Sequence, residues 1–288
     1  MERAIPTDAP EDEARTGSIE RSVAIDGPTA SGKSAVGRAL ARRLAYGFLD
    51  TGLMYRACTL AVLESPVDPA DEDAVAELVR GLDLDVQWPD PETPRVVIAG
   101  VDVSDRLREP EIEATVSLIS RVPAVRDELV RRQRAFAERS PIVMAGRDIG
   151  TRVLTEARTK LFLDASLEVR AARRLAEEQA AGRASDLGRV SDETDRRDQL
   201  DSTGHRAIRP EQAAPDAVVI VTDDLGVAGV VARAVVAFVR ANAAGGGSGA
   251  SGAGSSTASA ASRCRSRCAS PAASRSSTPT ASPSMAGS

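Results

Sequence analysis

A segment near the start of the chain has the residue types and spacing of a phosphate-binding loop. It follows the pattern G-x-x-x-x-G-K-[ST], ends in Lys33 and Ser34, and comes directly after the apolar-rich run 22–26. Glycines let phosphate oxygens approach the backbone, and the amino end of the next helix favours anions. Lys33 would bridge the β- and γ-phosphates, and Ser34 would be a ligand of Mg²⁺. The predicted nucleotide-binding residues are Gly27, Pro28, Thr29, Ala30, Ser31, Gly32, Lys33, Ser34 and Ala35.

Two arginines, Arg56 and Arg147, come shortly after other apolar runs in the chain. Ligands of open parallel sheets bind outside the carboxyl ends of the strands. A phosphoryl-transfer enzyme needs several cationic side chains around the moving phosphoryl group. We therefore expect Arg56 and Arg147 to face the same site as Lys33.

The elements that position these residues are strands alternating with helices. Such alternation indicates an α/β fold with a parallel sheet and right-handed crossovers. The segment 82–104 differs, because it alternates apolar and polar residues with period two between prolines and a glycine, which indicates a small antiparallel insert. The predicted strands of the main sheet lie at 22–26, 46–50, 141–145, 159–164 and 217–221.

A polar segment at about 182–206 is charged and has few large apolar residues. A flap that closes over a nucleotide must be weakly packed and must carry arginines, so this segment is predicted to be a mobile lid. Arg170, Arg173 and Arg174 precede it on a predicted helix and are candidates for contact with ATP phosphates or adenine.

Composition narrows the classes of function. The net charge is −5, and the four arginines of residues 243–288 leave −9 for the rest of the chain, which argues against a nucleic-acid-binding protein. Three cysteines make no disulfide framework and fit a reducing compartment. The apolar stretch 227–239 contains Arg233 and is too short for a membrane span. We expect a cytoplasmic monomer without a membrane or nucleic-acid partner.

Both ends of the chain have compositions that differ from the middle. Residues 1–20 are acidic and hold few large apolar groups, and residues 243–288 consist mostly of Ala, Gly, Ser, Pro, Thr and Arg. Such segments bury too little apolar surface to offset their ordering entropy. The sequence therefore predicts a disordered leader, a folded domain over 21–242 and a low-complexity disordered tail.

Five segments taken together resemble the bacterial cytidylate kinases, a family of P-loop nucleoside monophosphate kinases. They follow one another in order and lie at 25–34, 49–56, 102–104, 146–151 and 197–203. The resemblance implies a five-stranded P-loop kinase fold with a CMP-binding insert at about 82–105 and an arginine-bearing lid. It also implies that the γ-phosphoryl group of ATP is transferred to CMP or dCMP with the help of Mg²⁺.

The same resemblance implies roles for individual side chains. The residues implied for the CMP phosphate are Thr51, Arg56 and Arg147, and Tyr55 is implied for the ribose. The residues implied for the cytosine edge are Ser104, Arg126 and Asp148, and Asp201 is implied as the acceptor from the ribose hydroxyl. The implied catalytic set is Lys33, Arg147 and Arg206, with Ser34 on the metal and Arg170 and Arg174 on ATP.

Two positions depart from the family pattern. Ala145 stands where the family commonly has an acid, and Gly204 and His205 are read as an insertion that displaces the lid arginine to Arg206. These departures leave two alternatives open. One is a nucleotide-binding module with weakened catalysis, and the other is a P-loop kinase of a different small acceptor.

Overall fold

Five parallel strands form the sheet that carries the phosphate-binding loop. The computed structural model describes residues 9–91, 93–180, 182–202 and 209–244. Its strands are β1 (Val23–Asp26), β2 (Gly47–Asp50), β3 (Leu84–Asp90), β4 (Thr93–Ile98), β5 (Val101–Asp102), β6 (Ile142–Ala145), β7 (Thr159–Asp164) and β8 (Val218–Val221). The main sheet has the order β2-β6-β1-β7-β8, and all its neighbouring strands run parallel. The predicted five-stranded parallel sheet is confirmed.

Helices cover both faces of this sheet. They are α1 (Ala9–Arg21), α2 (Lys33–Leu44), α3 (Gly52–Leu63), α4 (Glu72–Gly81), α5 (Pro110–Ile119), α6 (Pro123–Arg139), α7 (Leu167–Ala180), α8 (Leu187–Ser202) and α9 (Val227–Ala244). Ile25 of β1 packs in a core with residues of α2 and α9, whereas Ala24 packs in a second core with residues of α3 to α6. Successive side chains of a strand point to opposite faces, and the inner strands β6, β1 and β7 are buried on both sides, whereas the edge strand β8 is largely exposed.

Strands β3, β4 and β5 form a separate antiparallel sheet between α4 and a 3₁₀ helix at Ser104–Arg108. Trp88 of β3 ties this insert to the main sheet, since its Nε1 donates to the carbonyl oxygen of Phe48 at 2.8 Å. The predicted antiparallel insert is confirmed, and its role in CMP binding stays a prediction.

The predicted disordered leader is wrong for residues 9–20, which belong to α1. Ser18 Oγ donates to the carbonyl oxygen of Ala137 on α6 at 2.6 Å, and the Ile19 side chain is buried in the core. Ser22 Oγ accepts from the backbone N–H of Ile142 at 3.1 Å, which joins the end of α1 to β6. Helix α1 packs against α6 and is joined to β6, and its acidic composition does not indicate these contacts.

Most of the predicted lid lies within the described residues, and its mobility stays a prediction, whereas most of the predicted tail lies outside them. Residues 187–202 form α8, which packs against α7, and residues 203–208 are not described. Helix α9 continues to Ala244, two residues past the predicted domain end, and the rest of the predicted tail is not described. Within the described ranges, no helix has the length and apolar character needed to cross a membrane.

Candidate active site

The phosphate-binding loop joins the end of β1 to the start of α2. Gly27 has φ 146°, and a Cβ at this position would lie 2.2 Å from the carbonyl oxygen of Leu163, so only glycine fits. Gly32 has φ 93° and precedes the first helical residue. The Ser31 side chain is buried, and its Oγ has no hydrogen-bond partner among the described residues. An unpartnered buried hydroxyl beside free helix N–H groups fits a phosphate oxygen.

Lys33 folds back over this loop. Its Nζ donates to the carbonyl oxygen of Pro28 at 2.5 Å. Burial and the charge of Arg147 lower the pKa of the Lys33 ammonium to about 7, whereas Asp50 and Asp26 act in the opposite direction. A bound phosphate group would place negative charge beside this amine and so favour its charged form.

Ser34, the predicted ligand of Mg²⁺, is held by an acid at the end of β2. Its Oγ donates to Asp50 Oδ2 at 2.7 Å, and Asp50 Oδ1 accepts from the backbone N–H of Gly52 at 3.1 Å. Asp50 ends β2 and pairs in register with Ala145 of β6. Asp50 therefore lies beside the position of Ala145 and contacts the hydroxyl of Ser34.

Arg147 and Thr51 connect the loops that follow β6 and β2 to the rest of the site. Arg147 Nη2 donates to Thr29 Oγ1 of the phosphate loop. Thr51 donates to the carbonyl oxygen of Ala145 through both its backbone N–H and its Oγ1, each at 3.0 Å. Arg147 thus contacts the phosphate loop, and the Thr51 hydroxyl donates to the backbone of β6, while the roles of both residues on the CMP phosphate stay predictions.

Asp26 is a site residue that the sequence reasoning missed. Its Oδ1 and Oδ2 accept from the backbone N–H groups of Ile149 and Gly150, each at 2.8 Å, and so hold the loop that carries Arg147 and Asp148. Burial raises the pKa of the Asp26 carboxyl to about 6, although both hydrogen bonds lower it. The sequence signal that could have identified Asp26 is a polar residue at the end of a buried strand.

Two of the three residues implied for cytosine recognition are in contact. Arg126 of α6 and Asp148 form a buried ion pair through Arg126 Nη2 and Asp148 Oδ2. Such a pair presents a donor and an acceptor side by side, as the edge of a cytosine requires. The third residue, Ser104, begins the 3₁₀ helix, and its Oγ accepts from the backbone N–H of Val96 at 2.9 Å.

A second missed residue is Glu113 of α5. Its Oε1 lies 3.2 Å from Arg56 Nη2, and its Oε2 lies 3.3 Å from Arg197 Nη1 and 3.8 Å from Arg174 Nη2. The structure thus brings Arg174, which is predicted for ATP, into one cluster with Arg56, which is predicted for CMP. No local sequence pattern signals this cluster, because its members come from four helices.

Arg170 and Arg173 lie on the donor side. Arg170 Nη1 pairs with Asp198 Oδ2 of α8 at 2.6 Å and donates to the carbonyl oxygen of Thr29 at 3.4 Å. Arg173 Nη1 donates to Thr222 Oγ1 at 3.0 Å and lies 4.0 Å from the Cβ position of Gly32. Arg170 thus connects α8 to the phosphate loop.

The remaining predicted residues receive less structural description. Tyr55 is half-buried in the first turn of α3 and packs against the core, and Ala35 is exposed in the first turn of α2. Asp201 lies in α8, with its side chain outside the described residues, as are Arg206, Gly204 and His205. Their predicted roles stay predictions.

Known proteins are similar in sequence to the folded part of this chain. The family model described as cytidylate kinase matches residues 23–240. A cytidylate kinase of Geobacillus kaustophilus is 48% identical over 212 residues, which is 74% of this chain and 93% of that protein. Cytidylate kinases of Corynebacterium efficiens and Mycobacterium avium are 50% and 49% identical, over 69% and 70% of this chain and 86% and 88% of their own lengths. The chain belongs to the cytidylate kinase family.

Proposed function

We propose that this chain transfers the γ-phosphoryl group of ATP to CMP and dCMP. One observation carries the proposal: Arg147 contacts Thr29 of the phosphate loop, while the next residue, Asp148, pairs with Arg126. Arg147, which contacts the loop for the donor phosphates, and Asp148, which belongs to the pair suited to cytosine, are therefore consecutive residues. Such an arrangement would bring the two substrates close together for direct transfer.

In the proposed reaction the acceptor is the CMP phosphate, which is already ionised at neutral pH and needs no general base. Lys33 and Arg147 would balance the charge that spreads over the transferred group, and backbone N–H groups of the loop would hold the β-phosphate. Arg56 would bind the phosphate of CMP. The lid residues Asp201 and Arg206 keep their predicted roles on the ribose and on the transferred group.

The metal side of the site fits Mg²⁺. Mg²⁺ prefers oxygen ligands and keeps several waters, so it needs few protein groups beside the phosphates. Ser34 Oγ and Asp50 Oδ2 are such oxygens, and the described residues contain no cluster of three or more His, Cys, Asp or Glu that would indicate a different metal site. Ser34 and Asp50 would hold the ion, which neutralises charge on the β- and γ-phosphates.

An acceptor panel tests this function. ADP formation from ATP and Mg²⁺ is measured with CMP, dCMP, UMP, AMP, GMP and shikimate, for the wild type and for Lys33→Ala. We expect the highest turnover with a cytidine nucleotide and a loss of at least about 100-fold in Lys33→Ala. Arg43→Ala, at an exposed position of the same helix, is the control. Best turnover on another acceptor would favour a different kinase, and no Lys33-dependent ADP would favour a non-catalytic module.

We also propose that the protein acts as a monomer in the cytoplasm, without nucleic acid. The support is its acidic folded part and its buried free thiol, Cys58. Light scattering after size-exclusion chromatography tests the oligomeric state, and a mass of two chains would contradict it.

A further inference from the structure

Glu113 is a carboxylate that the proposed reaction leaves without a role, although three arginines surround it. Its side chain is only 18% exposed, and the arginines come from α3, α7 and α8. Burial by itself would raise the pKa of Glu113, but the charges of Arg56, Arg197 and Arg174 more than offset this and hold the pKa below its ordinary value. Glu113 is therefore ionised at neutral pH.

The contact with Arg56 fixes the orientation of its guanidinium group. Arg56 Nε and Nη2 lie 3.3 Å and 3.2 Å from Glu113 Oε1, so one edge of the planar group faces the carboxylate. The other nitrogen, Nη1, lies 3.0 Å from the position that a Cβ on Gly52 would take. Gly52 begins α3 directly after Thr51, so this nitrogen is directed toward the carboxyl end of β2 and the proposed acceptor site.

Glu113 also supplies the charge that lets the arginines lie together. Arg174 has two further partners, Glu177 at 3.7 Å and Glu178 at 3.3 Å. Among the described residues, Arg56 and Arg197 form ion pairs with Glu113 alone. Three like charges around one point repel strongly where water is largely excluded, so this cluster depends on its central carboxylate.

We infer that Glu113 is a positioning residue for the acceptor: it holds Arg56, Arg174 and Arg197 as one cationic cluster before CMP binds. The phosphate of the nucleotide then meets arginines that are already oriented, and less ordering is needed on binding. Because Arg197 belongs to α8, the same carboxylate connects the lid helix to the acceptor side. The inference rests on the proposed function, since the phosphate role of Arg56 is part of it.

The test compares Glu113→Gln with Glu111→Gln, the same change at an exposed position of the same helix. Steady-state kinetics are measured with ATP and CMP. In Glu113→Gln we expect the KM for CMP to rise about tenfold, with kcat and the KM for ATP changed less than about threefold, because pre-organisation of a binding group contributes equally to ground and transition states. Glu111→Gln should match the wild type, and Glu113→Asp should recover part of the loss.

A double-mutant cycle separates positioning from a general structural effect. In an Arg56→Ala background, Glu113→Gln should raise the KM for CMP by less than about twofold further, because the arginine of the cluster that is assigned to the CMP phosphate is absent. Full additivity, or a KM in Glu113→Gln equal to or below that of the wild type, would overturn the inference. If the wild type does not turn over CMP, the proposed function itself fails. That result differs from an active wild type whose KM for CMP does not change in Glu113→Gln.

Discussion

At the scale of single residues, Lys33 has the most consequential electrostatics. Burial and Arg147 lower the pKa of its ammonium to about 7 in the nucleotide-free chain. The charged form binds phosphates and is the main form only below that pH, so ATP binding above pH 7 must be accompanied by proton uptake. We expect the affinity for ATP to fall by up to about tenfold for each pH unit above 7.5.

Calorimetric titration with ATP between pH 7.5 and 9, in two buffers of different ionisation enthalpy, measures both the affinity and the protons taken up. Lys33→Arg is the matched control, because a guanidinium stays charged over this range and the variant should show a much flatter profile. A wild-type affinity that is constant from pH 7.5 to 9 would contradict the expected role of this amine.

Sequence and structure agree on residues whose function follows from a local pattern and differ on residues that act through distant partners. The loop containing Lys33 and Ser34 is recognisable because all its parts are adjacent in the chain. Glu113 is not, because its partners Arg56 and Arg197 lie 57 and 84 positions away. The role of Ser104 in base recognition is implied by the family resemblance and stays a prediction; its Oγ accepts from the backbone N–H of Val96.

At the scale of elements, the register of β2 and β6 places Asp50 beside Ala145 and within reach of Ser34. Asp50 and Ala145 are partners in adjacent strands, and Asp50 reaches Ser34 at 2.7 Å. We expect Asp50→Asn to raise the Mg²⁺ concentration needed for half-maximal activity by about tenfold or more, because residues that orient a metal ligand typically contribute that much to affinity.

Binding of Mn²⁺ to the complex with ADP, followed by electron paramagnetic resonance, gives a second readout that does not depend on turnover. Asp85→Asn, at an exposed position of β3, is the control variant. If Asp50→Asn binds Mn²⁺ as tightly as the wild type, Asp50 does not serve the metal side.

Helix α1 shows why element boundaries near a terminus are hard to infer from composition. Its segment is acidic and poor in large apolar residues, yet Ile19 is only 4% exposed and Ser18 donates to α6. We expect Ile19→Ala to lower the free energy of unfolding by about 2–4 kcal/mol, since it removes a buried aliphatic side chain from a packed core. Urea denaturation measures this change, and Arg15→Ala, at an exposed position of the same helix, should leave stability within about 0.5 kcal/mol.

A loss below about 0.5 kcal/mol in Ile19→Ala would mean that α1 is not part of the cooperative core. The main sheet was easier to infer, because its strands are short apolar runs that alternate with helices, and the inner strands are buried on both faces. The sequence pattern therefore predicts elements that are defined by a local motif or by a periodic run of apolar residues. It fails where a few contacts between distant segments decide the outcome.

At the scale of the whole molecule, α8 is attached to both halves of the proposed site. Asp198 pairs with Arg170, which donates to Thr29 of the phosphate loop, and Arg197 pairs with Glu113 beside Arg56. One helix thus contacts the donor side and the acceptor side through adjacent residues. If the two nucleotides stabilise the same position of this helix, each should favour binding of the other.

We therefore expect a non-hydrolysable ATP analogue and CMP together to stabilise the fold by more than the sum of their separate effects, with an excess of about 1–3 kcal/mol. Thermal melting with each ligand alone and with both measures the excess. Asp198→Asn removes the charge that links α8 to Arg170, so in this variant the excess should shrink while each ligand alone still stabilises. Simple additivity in the wild type would mean that α8 responds to the two nucleotides independently, and the connection through Arg170 and Glu113 would then be structural only.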